Sequence, residues 1–150
     1  AGTIIEEGGE FAHGFTYSGH PAACAVALKN IEIIKKENIL DSVKHSIAPY
    51  LRDKWLSLGD HPIVGEARIK GLMGAIELSN DKLKRSRFPS DFNTGSLCRD
   101  ISIKNGLVMR AVGDSMIIAP PLVINHEQVD ELVDKARTTL DETQNAIQKL

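Results

Sequence analysis

A glycine-framed loop that runs directly into a proline-started helix constrains this 150-residue chain more than any other feature. Residues 14–25 read GFTYSGHPAACA, and Pro21 suits the first turn of a helix because its fixed φ is already helical. Hydroxyl and backbone N–H groups at such a junction can bind an anion such as phosphate. The same residue types also serve as turn formers and helix caps. The segment therefore predicts a loop-to-helix junction, with anion binding as one of two interpretations.

A second segment places one arginine inside an apolar strand. Residues 106–122 read GLVMRAVGDSMIIAPPL, in which Gly113 and Asp114 suit the two-residue turn of a β-hairpin. Arg110 could extend its charge to solvent or pair with Asp114. Its planar fork of donors is also suited to bidentate binding of a carboxylate. The pattern alone leaves these three interpretations open.

Both segments carry a resemblance that extends from about Phe11 to the C-terminus. They resemble class III, fold type I pyridoxal-phosphate aminotransferases, most closely the omega-amino acid:pyruvate branch. The resemblance implies a homodimer in which Thr16 binds the phosphate of the pyridoxal 5′-phosphate held by the other subunit. It also implies that Arg110 binds the carboxylate of a substrate, and that the substrates are a small amine and a 2-oxo acid.

The family's Schiff-base lysine, and the aspartate that pairs with the pyridine nitrogen, precede the loop that Thr16 matches. Only fifteen residues precede Thr16 here, and none of them is lysine. The resemblance therefore implies the C-terminal part of a transaminase, with no catalytic residue among these 150. We expect these residues alone to be inactive.

The loop sequence also bears on the branch of the family. Residues 17–20 read YSGH, which favours the omega-amino acid:pyruvate branch over the ornithine and 4-aminobutyrate branches, where a glycine-glycine-asparagine version is usual. A glutamate-1-semialdehyde aminomutase-like enzyme and a 4-aminobutyrate transaminase remain alternatives. A non-enzymatic dimerisation or interaction domain is an alternative from a different class, favoured by the missing lysine.

Composition limits the classes of partner. With 42% hydrophobic and 25% charged residues the chain is typical of a globular domain. A net charge of −2 provides no basic field, so neither nucleic acid nor an anionic membrane is an expected partner. The basic run within residues 82–87 predicts a solvated loop. No secretion signal or long apolar segment is visible, and we expect a cytoplasmic protein.

The cysteines and histidines show no metal-ligand spacing. Cys24 and Cys98 lie far apart in apolar helical patterns, which predicts two reduced, buried thiols and no metal site. His20 is expected to shape the entry into the helix that follows. Structural roles are predicted for the other four histidines, at positions 13, 45, 61 and 126.

Apolar spacing predicts the first half of the fold. Residues 1–11 read as an irregular lead-in, and a helix is expected from Pro21 to Glu37. Asn38 is predicted to cap a second helix over residues 39–58, which Pro49 bends or interrupts. Strands are expected at residues 63–68 and 72–78, and Gly74 permits a bulge or a close backbone approach.

The second half predicts a connection, a helix, a hairpin and a final helix. Residues 80–94 are polar, and a short helix then ends at Asn105 and Gly106. Asn125 and Gln128 have the spacing of a capping box before a long amphipathic helix. The expected fold class is α/β, a small and mostly antiparallel sheet covered by helices, which the resemblance identifies as the C-terminal small domain of a fold type I enzyme. The expected division is 1–20 for the end of the large domain, 21–58 for a helical connection and 59–150 for the small domain.

Overall fold

The computed structural model describes residues 2–8 and 14–149 and divides the chain into two compact units. The first unit ends at Glu37 and the second begins at Asn38. Phe11, where the resemblance begins, and His13, for which a structural role is predicted, lie outside the described residues. The division expected from the resemblance, at residues 20 and 58, stays a prediction.

The described residues of the first unit form two helices. Residues Gly2–Glu7 form α1, so the expectation of an irregular lead-in is wrong there. Helix α2 spans Pro21–Lys36, as predicted, with proline in its first turn. His20 lies at the N-cap, where its Nδ1 accepts a long 3.5 Å hydrogen bond from the N–H of Ala23. That imidazole caps the helix entry, the role expected of His20.

The second unit begins with a helical segment whose middle is wound differently from its ends. Helix α3 spans Ile39–Ser42, a π turn spans Val43–Ile47, and α4 spans Ala48–Leu56 before a 3₁₀ turn at Ser57–Asp60. Pro49 is the second residue after the π turn and has no N–H to donate. The predicted interruption therefore takes the form of one widened turn, a recognised kind of helix irregularity.

Asn38 precedes α3 as predicted, but it does not cap the helix through its side chain. Its backbone is left-handed, with φ +51°, and its side chain makes no capping hydrogen bond. Asparagine tolerates this conformation better than most residues. The predicted side-chain cap of α3 is therefore wrong.

Four antiparallel strands form one sheet in the order β1-β2-β4-β3. The strands are β1 Val64–Lys70, β2 Met73–Leu78, β3 Arg110–Val112 and β4 Ser115–Ile118. The first pair lies within two residues of its predicted bounds. Gly113 has φ +56° at the first position of the β3–β4 turn, a conformation that glycine adopts at low cost. The predicted hairpin is confirmed.

Helices cover one face of this sheet and enclose the core. Helix α5 spans Thr94–Lys104 and α6 spans His126–Ile147, which begins with the predicted capping box of Asn125 and Gln128. The largest fully buried side chains join α4, the sheet and α6: Leu51, Trp55, Leu58, Ile76, Leu78, Met116, Val129 and Leu140. The predicted α/β fold class is thus confirmed.

The connection between β2 and α5 is exposed over its basic run, as predicted. Lys82 nevertheless donates to the carbonyl oxygens of Gly59 and His61, at 2.7 and 3.1 Å, and so ties the loop to the end of the helical segment. Phe88 is buried against the core and anchors the far end of the loop. Within residues 2–8 and 14–149, no helix combines the length and apolar character needed to cross a membrane.

Candidate functional site

The loop before α2 is folded on itself by its own hydrogen bonds. Ser18 donates its N–H to the carbonyl oxygen of Phe15 at 2.9 Å, and its Oγ accepts from the N–H of Phe15 at 3.1 Å. His20 donates its N–H to the carbonyl oxygen of Tyr17 at 3.2 Å, and Gly19 takes φ +77° between them. Two overlapping turns therefore hold residues 15–20 in one shape directly before the helix.

Thr16 lies inside the first of these turns with its side chain exposed. Among the described residues, none forms a hydrogen bond with the Thr16 hydroxyl, so its donor and acceptor positions are open to a ligand. The amino-terminal end of the sixteen-residue α2 follows five residues later, where the helix dipole favours negative charge. This donor set fits a phosphate group.

Arg110 occupies the first position of β3, an edge strand of the sheet, and its side chain is exposed. Its partner on β4 is Ile117. Ile117 also pairs with Ala75 on β2, and Ala75 pairs with Arg68 on β1, so these four residues form one row across the sheet. Directly paired residues of antiparallel strands share a face. The alternate residues Ala111, Met116 and Ile76 form the row that turns toward the core. Arg110 therefore lies on the sheet face opposite the core.

The guanidinium of Arg110 has no hydrogen bond or ion pair with any residue in the described part of the chain. Asp114, the partner that the sequence allowed for it, instead accepts a hydrogen bond from the N–H of Gly95 at 3.2 Å. That alternative of an Arg110–Asp114 pair is wrong. An exposed guanidinium without a protein partner keeps its donors available for an anionic ligand.

One acidic side chain on the same face, that of Glu77, is already occupied. Glu77 on β2 accepts a short hydrogen bond from the Ser115 hydroxyl and lies 3.5 Å from a guanidinium nitrogen of Arg68. Ser115 is in the row next to Arg110, paired with Val112. Sequence reasoning did not find these residues. Alternation along β2 and β4 places them on one face, but their contact depends on which strands are neighbours.

The remaining titratable candidates have structural surroundings. His61 is buried and its Nε2 lies 3.2 Å from a carboxylate oxygen of Asp141, which joins the end of the helical segment to α6. Burial raises the pKa of the Cys98 thiol to about 11. Cys24 is exposed, so its predicted burial is wrong. No three His, Cys, Asp or Glu side chains converge closely enough to hold a metal ion in the ranges that the structure describes.

Comparison with protein families gives one match that spans most of the chain. A family profile described as aminotransferase class-III matches residues 2–140. A putrescine–pyruvate aminotransferase of Pseudomonas aeruginosa is 55% identical over 144 residues, which are 96% of this chain and 31% of that protein. A mitochondrial gamma aminobutyrate transaminase 1 of Solanum lycopersicum is 39% identical over 142 residues, or 95% of this chain and 27% of that protein.

Solved structures of the same kind share the fold. An (S)-enantioselective omega-transaminase from Thermomicrobium roseum aligns with a TM-score of 0.81 and 36% identity, over 89% of this chain and 30% of that one. An aminotransferase from Vibrio fluvialis, solved in a PMP-bound form, aligns with a TM-score of 0.82 and 33% identity, over 96% and 32%. The chain thus spans about a third of the length of the proteins it matches.

Proposed function

The chain belongs to the class-III aminotransferases, and we propose that the complete enzyme transfers an amino group from an amine or omega-amino acid to pyruvate. Two features support this donor and acceptor. The 55% identical relative is named for putrescine and pyruvate, and the aligned structures include an omega-transaminase. The carboxylate of pyruvate agrees with an exposed arginine as the anion-binding group. We place the enzyme in the cytoplasm as a homodimer.

The observation that carries the proposal is the unpaired guanidinium of Arg110 on the face of the sheet opposite the core. A bidentate contact between its fork and the carboxylate of pyruvate would orient the acceptor. A diamine such as putrescine has no carboxylate and would not make this contact. Arg110 therefore distinguishes the acceptor from such a donor by chemistry and not by size.

Thr16 is the residue that we assign to the cofactor. Pyridoxal 5′-phosphate, the cofactor of this family, supplies the electron sink that makes transamination possible when it is bound. The Thr16 hydroxyl would donate a hydrogen bond to a phosphate oxygen, and the start of α2 would add its dipole. In the dimer we place this contact across the subunit interface. We assign no acid or base to residues 1–150, and their inactivity in isolation stays a prediction.

A 4-aminobutyrate transaminase is a second candidate, favoured by the 39% identical tomato relative. Its donor carries a carboxylate, so Arg110 would bind both donor and acceptor in that case. A diamine donor and a 4-aminobutyrate donor therefore predict different effects of Arg110 on the donor half of the reaction, whereas any other omega-amino acid would behave as 4-aminobutyrate does. The higher identity to the putrescine–pyruvate enzyme favours the first.

The test is a comparison of the two half-reactions in the complete enzyme by single-turnover kinetics. Arg110→Ala is expected to slow the pyruvate half-reaction about 10- to 100-fold, because a hydrogen bond to a charged group contributes about 1.5–3 kcal/mol. A diamine half-reaction should change much less, and an unchanged enzyme that uses 4-aminobutyrate much faster than a diamine would favour the second candidate. Arg110→Lys should recover part of the loss, since an ammonium keeps the charge without the fork.

Arg99→Ala provides a matched control, because Arg99 is a partly exposed arginine on α5 that already pairs with Asp100 at 2.7 Å. It should leave both half-reactions unchanged. Equal losses of Arg110→Ala with the diamine and with pyruvate would show a structural role for Arg110 and would reject the proposed carboxylate contact.

A further inference from the structure

The turn between β3 and β4 is packed directly on the first residues of α5. Gly95 is the second residue of that helix and is buried. A Cβ atom at Gly95 would lie 1.9 Å from the carbonyl oxygen of Gly113 and 3.3 Å from the Cα of Asp114. The backbone of the turn thus occupies the space of a side chain, and position 95 admits only glycine without movement of the backbone.

Asp114 also supplies the polar contact of this junction. Its Oδ1 accepts the hydrogen bond from the N–H of Gly95, one of the four N–H groups that a helix leaves without an internal partner at its start. Asn93, at the N-cap, is left-handed with φ +46° and its side chain makes no capping bond. The cap of α5 therefore comes from the hairpin, nineteen residues further along the chain.

The turn of this junction begins three residues after Arg110. Strand β3 has three residues and pairs with β4 alone, so few backbone contacts fix its direction. Met109 is buried and holds the end of β3 that precedes Arg110. At the other end, the turn is held by the contact of Asp114 with α5. The position from which Arg110 extends its guanidinium depends on both ends.

We propose that Asp114 is a positioning residue for Arg110: by capping α5 it fixes the hairpin turn and, through it, the direction in which the guanidinium meets a substrate carboxylate. The inference rests on the proposed function of Arg110. A bidentate contact is sensitive to direction, since a displacement of about 1 Å can cost up to about 100-fold in rate. Loss of the cap should therefore reduce the use of carboxylate substrates selectively.

The experiment measures kcat/KM of the complete enzyme for pyruvate and, separately, for a diamine without a carboxylate. Asp114→Ala is expected to lower the value for pyruvate about 5- to 10-fold and to change the diamine value by less than about 2-fold. Asp114→Asn should recover most of the loss, because its amide oxygen can accept the same hydrogen bond. Gly95→Ala is left out of the comparison because the backbone clash can prevent folding.

The double variant Arg110→Ala/Asp114→Ala completes the test. If Asp114 acts through Arg110, the double variant is no less active with pyruvate than Arg110→Ala alone. Equal losses of Asp114→Ala for both substrates, or additive losses in the double variant, would overturn the inference. If Arg110→Ala itself shows no selective loss for pyruvate, the proposed function fails. If Arg110→Ala is selective and Asp114→Ala is not, only the positioning inference fails.

Asp100→Ala serves as the control for destabilisation of α5, because Asp100 is exposed on that helix and, among the described residues, pairs only with Arg99. It should leave the ratio of the two kcat/KM values at the wild-type level. Thermal unfolding of each variant identifies the temperature at which all of them are folded for the assays. A shifted ratio in Asp100→Ala would assign the effect to the helix as a whole and would also overturn the inference.

Discussion

The indole of Trp55 fills the space that a side chain at Gly74 would occupy. A Cβ atom at position 74 would lie 2.9 Å from Nε1 of Trp55 and 3.0 Å from Cγ1 of Ile118. The same indole nitrogen donates a hydrogen bond to the carbonyl oxygen of Ala75, at 3.3 Å. Helix α4 thus contacts the centre of the sheet at a position where β2 has no side chain. The close backbone approach predicted for Gly74 is confirmed.

Gly74→Ala should therefore destabilise the fold by overpacking. Trp55 is fully buried and cannot move aside without displacing its neighbours. We expect the free energy of unfolding to fall by about 1–3 kcal/mol, measured by urea denaturation. Gly59→Ala is the matched control, since its Cβ would lie 3.8 Å from the Cβ of Ala67, an ordinary contact. Equal changes in the two variants would contradict the tight packing at Gly74.

Asp130 is expected to stabilise the fold in a pH-dependent manner. Hydrogen bonds from Lys54, at 2.8 Å, and from the Tyr50 hydroxyl hold the pKa of its carboxyl below the usual range. A lowered folded-state pKa means that this contribution is present above the unfolded pKa of about 4 and is lost as the pH falls through the folded value. Asp130→Asn should therefore lower Tm at pH 7 by more than it does near pH 3.

The effect should be small and sensitive to salt, because the pair is exposed. Asp134→Asn is the control on the same helix, since Asp134 is exposed and its carboxylate has no hydrogen bond among the described residues. The Tm of Asp134→Asn should be nearly the same as that of the unchanged protein, both at pH 7 and near pH 3. If Asp130→Asn lowered Tm by the same amount near pH 3 as at pH 7, the ion pair would be excluded as the cause.

Thr16→Ala should weaken binding of pyridoxal 5′-phosphate to the complete enzyme. Loss of one hydrogen bond to a charged phosphate is expected to lower the affinity about 10- to 100-fold, from about 1.5–3 kcal/mol. Equilibrium dialysis with absorbance detection of the bound cofactor measures it. Thr16→Ser retains the hydroxyl and should bind nearly as well as the unchanged enzyme.

Thr138→Ala is the matched threonine control, because Thr138 is exposed on α6 and its hydroxyl donates to the backbone of its own helix. It should leave cofactor affinity unchanged. An unaltered affinity in Thr16→Ala would remove Thr16 from the phosphate site.

Local signals in the sequence predicted the elements of the fold well. The capping box of Asn125 and Gln128 and the turn at Gly113 depend on residues within four positions of one another, and both are confirmed. Burial was less predictable: Cys24 lies in an apolar helical pattern yet is exposed. Periodicity identifies the face of a helix that can be buried, but a packing partner decides whether it is.

The neighbours of Arg110 could not be predicted in the same way. The contact of Asp114 with Gly95 joins residues nineteen positions apart, and that of Ser115 with Glu77 joins residues thirty-eight apart. The contact of Ser115 with Glu77 requires that β4 lies beside β2. The contact of Asp114 with Gly95 requires that the turn before β4 lies over the start of α5. The sequence indicates that Arg110 lies in a strand next to a hairpin, but the order of strands determines which charges surround it.

The π turn at Val43–Ile47 sets the angular phase between the helices on its two sides. A π turn takes up about one more residue than an α-helical turn over nearly the same rotation, so the apolar spacing of α3 is shifted by one residue relative to that of α4. Leu40 is 59% exposed, whereas Leu51 and Trp55 are fully buried. Removal of a single residue from the turn would restore continuous α-helical winding and leave the direction of Leu40 relative to Leu51 nearly unchanged.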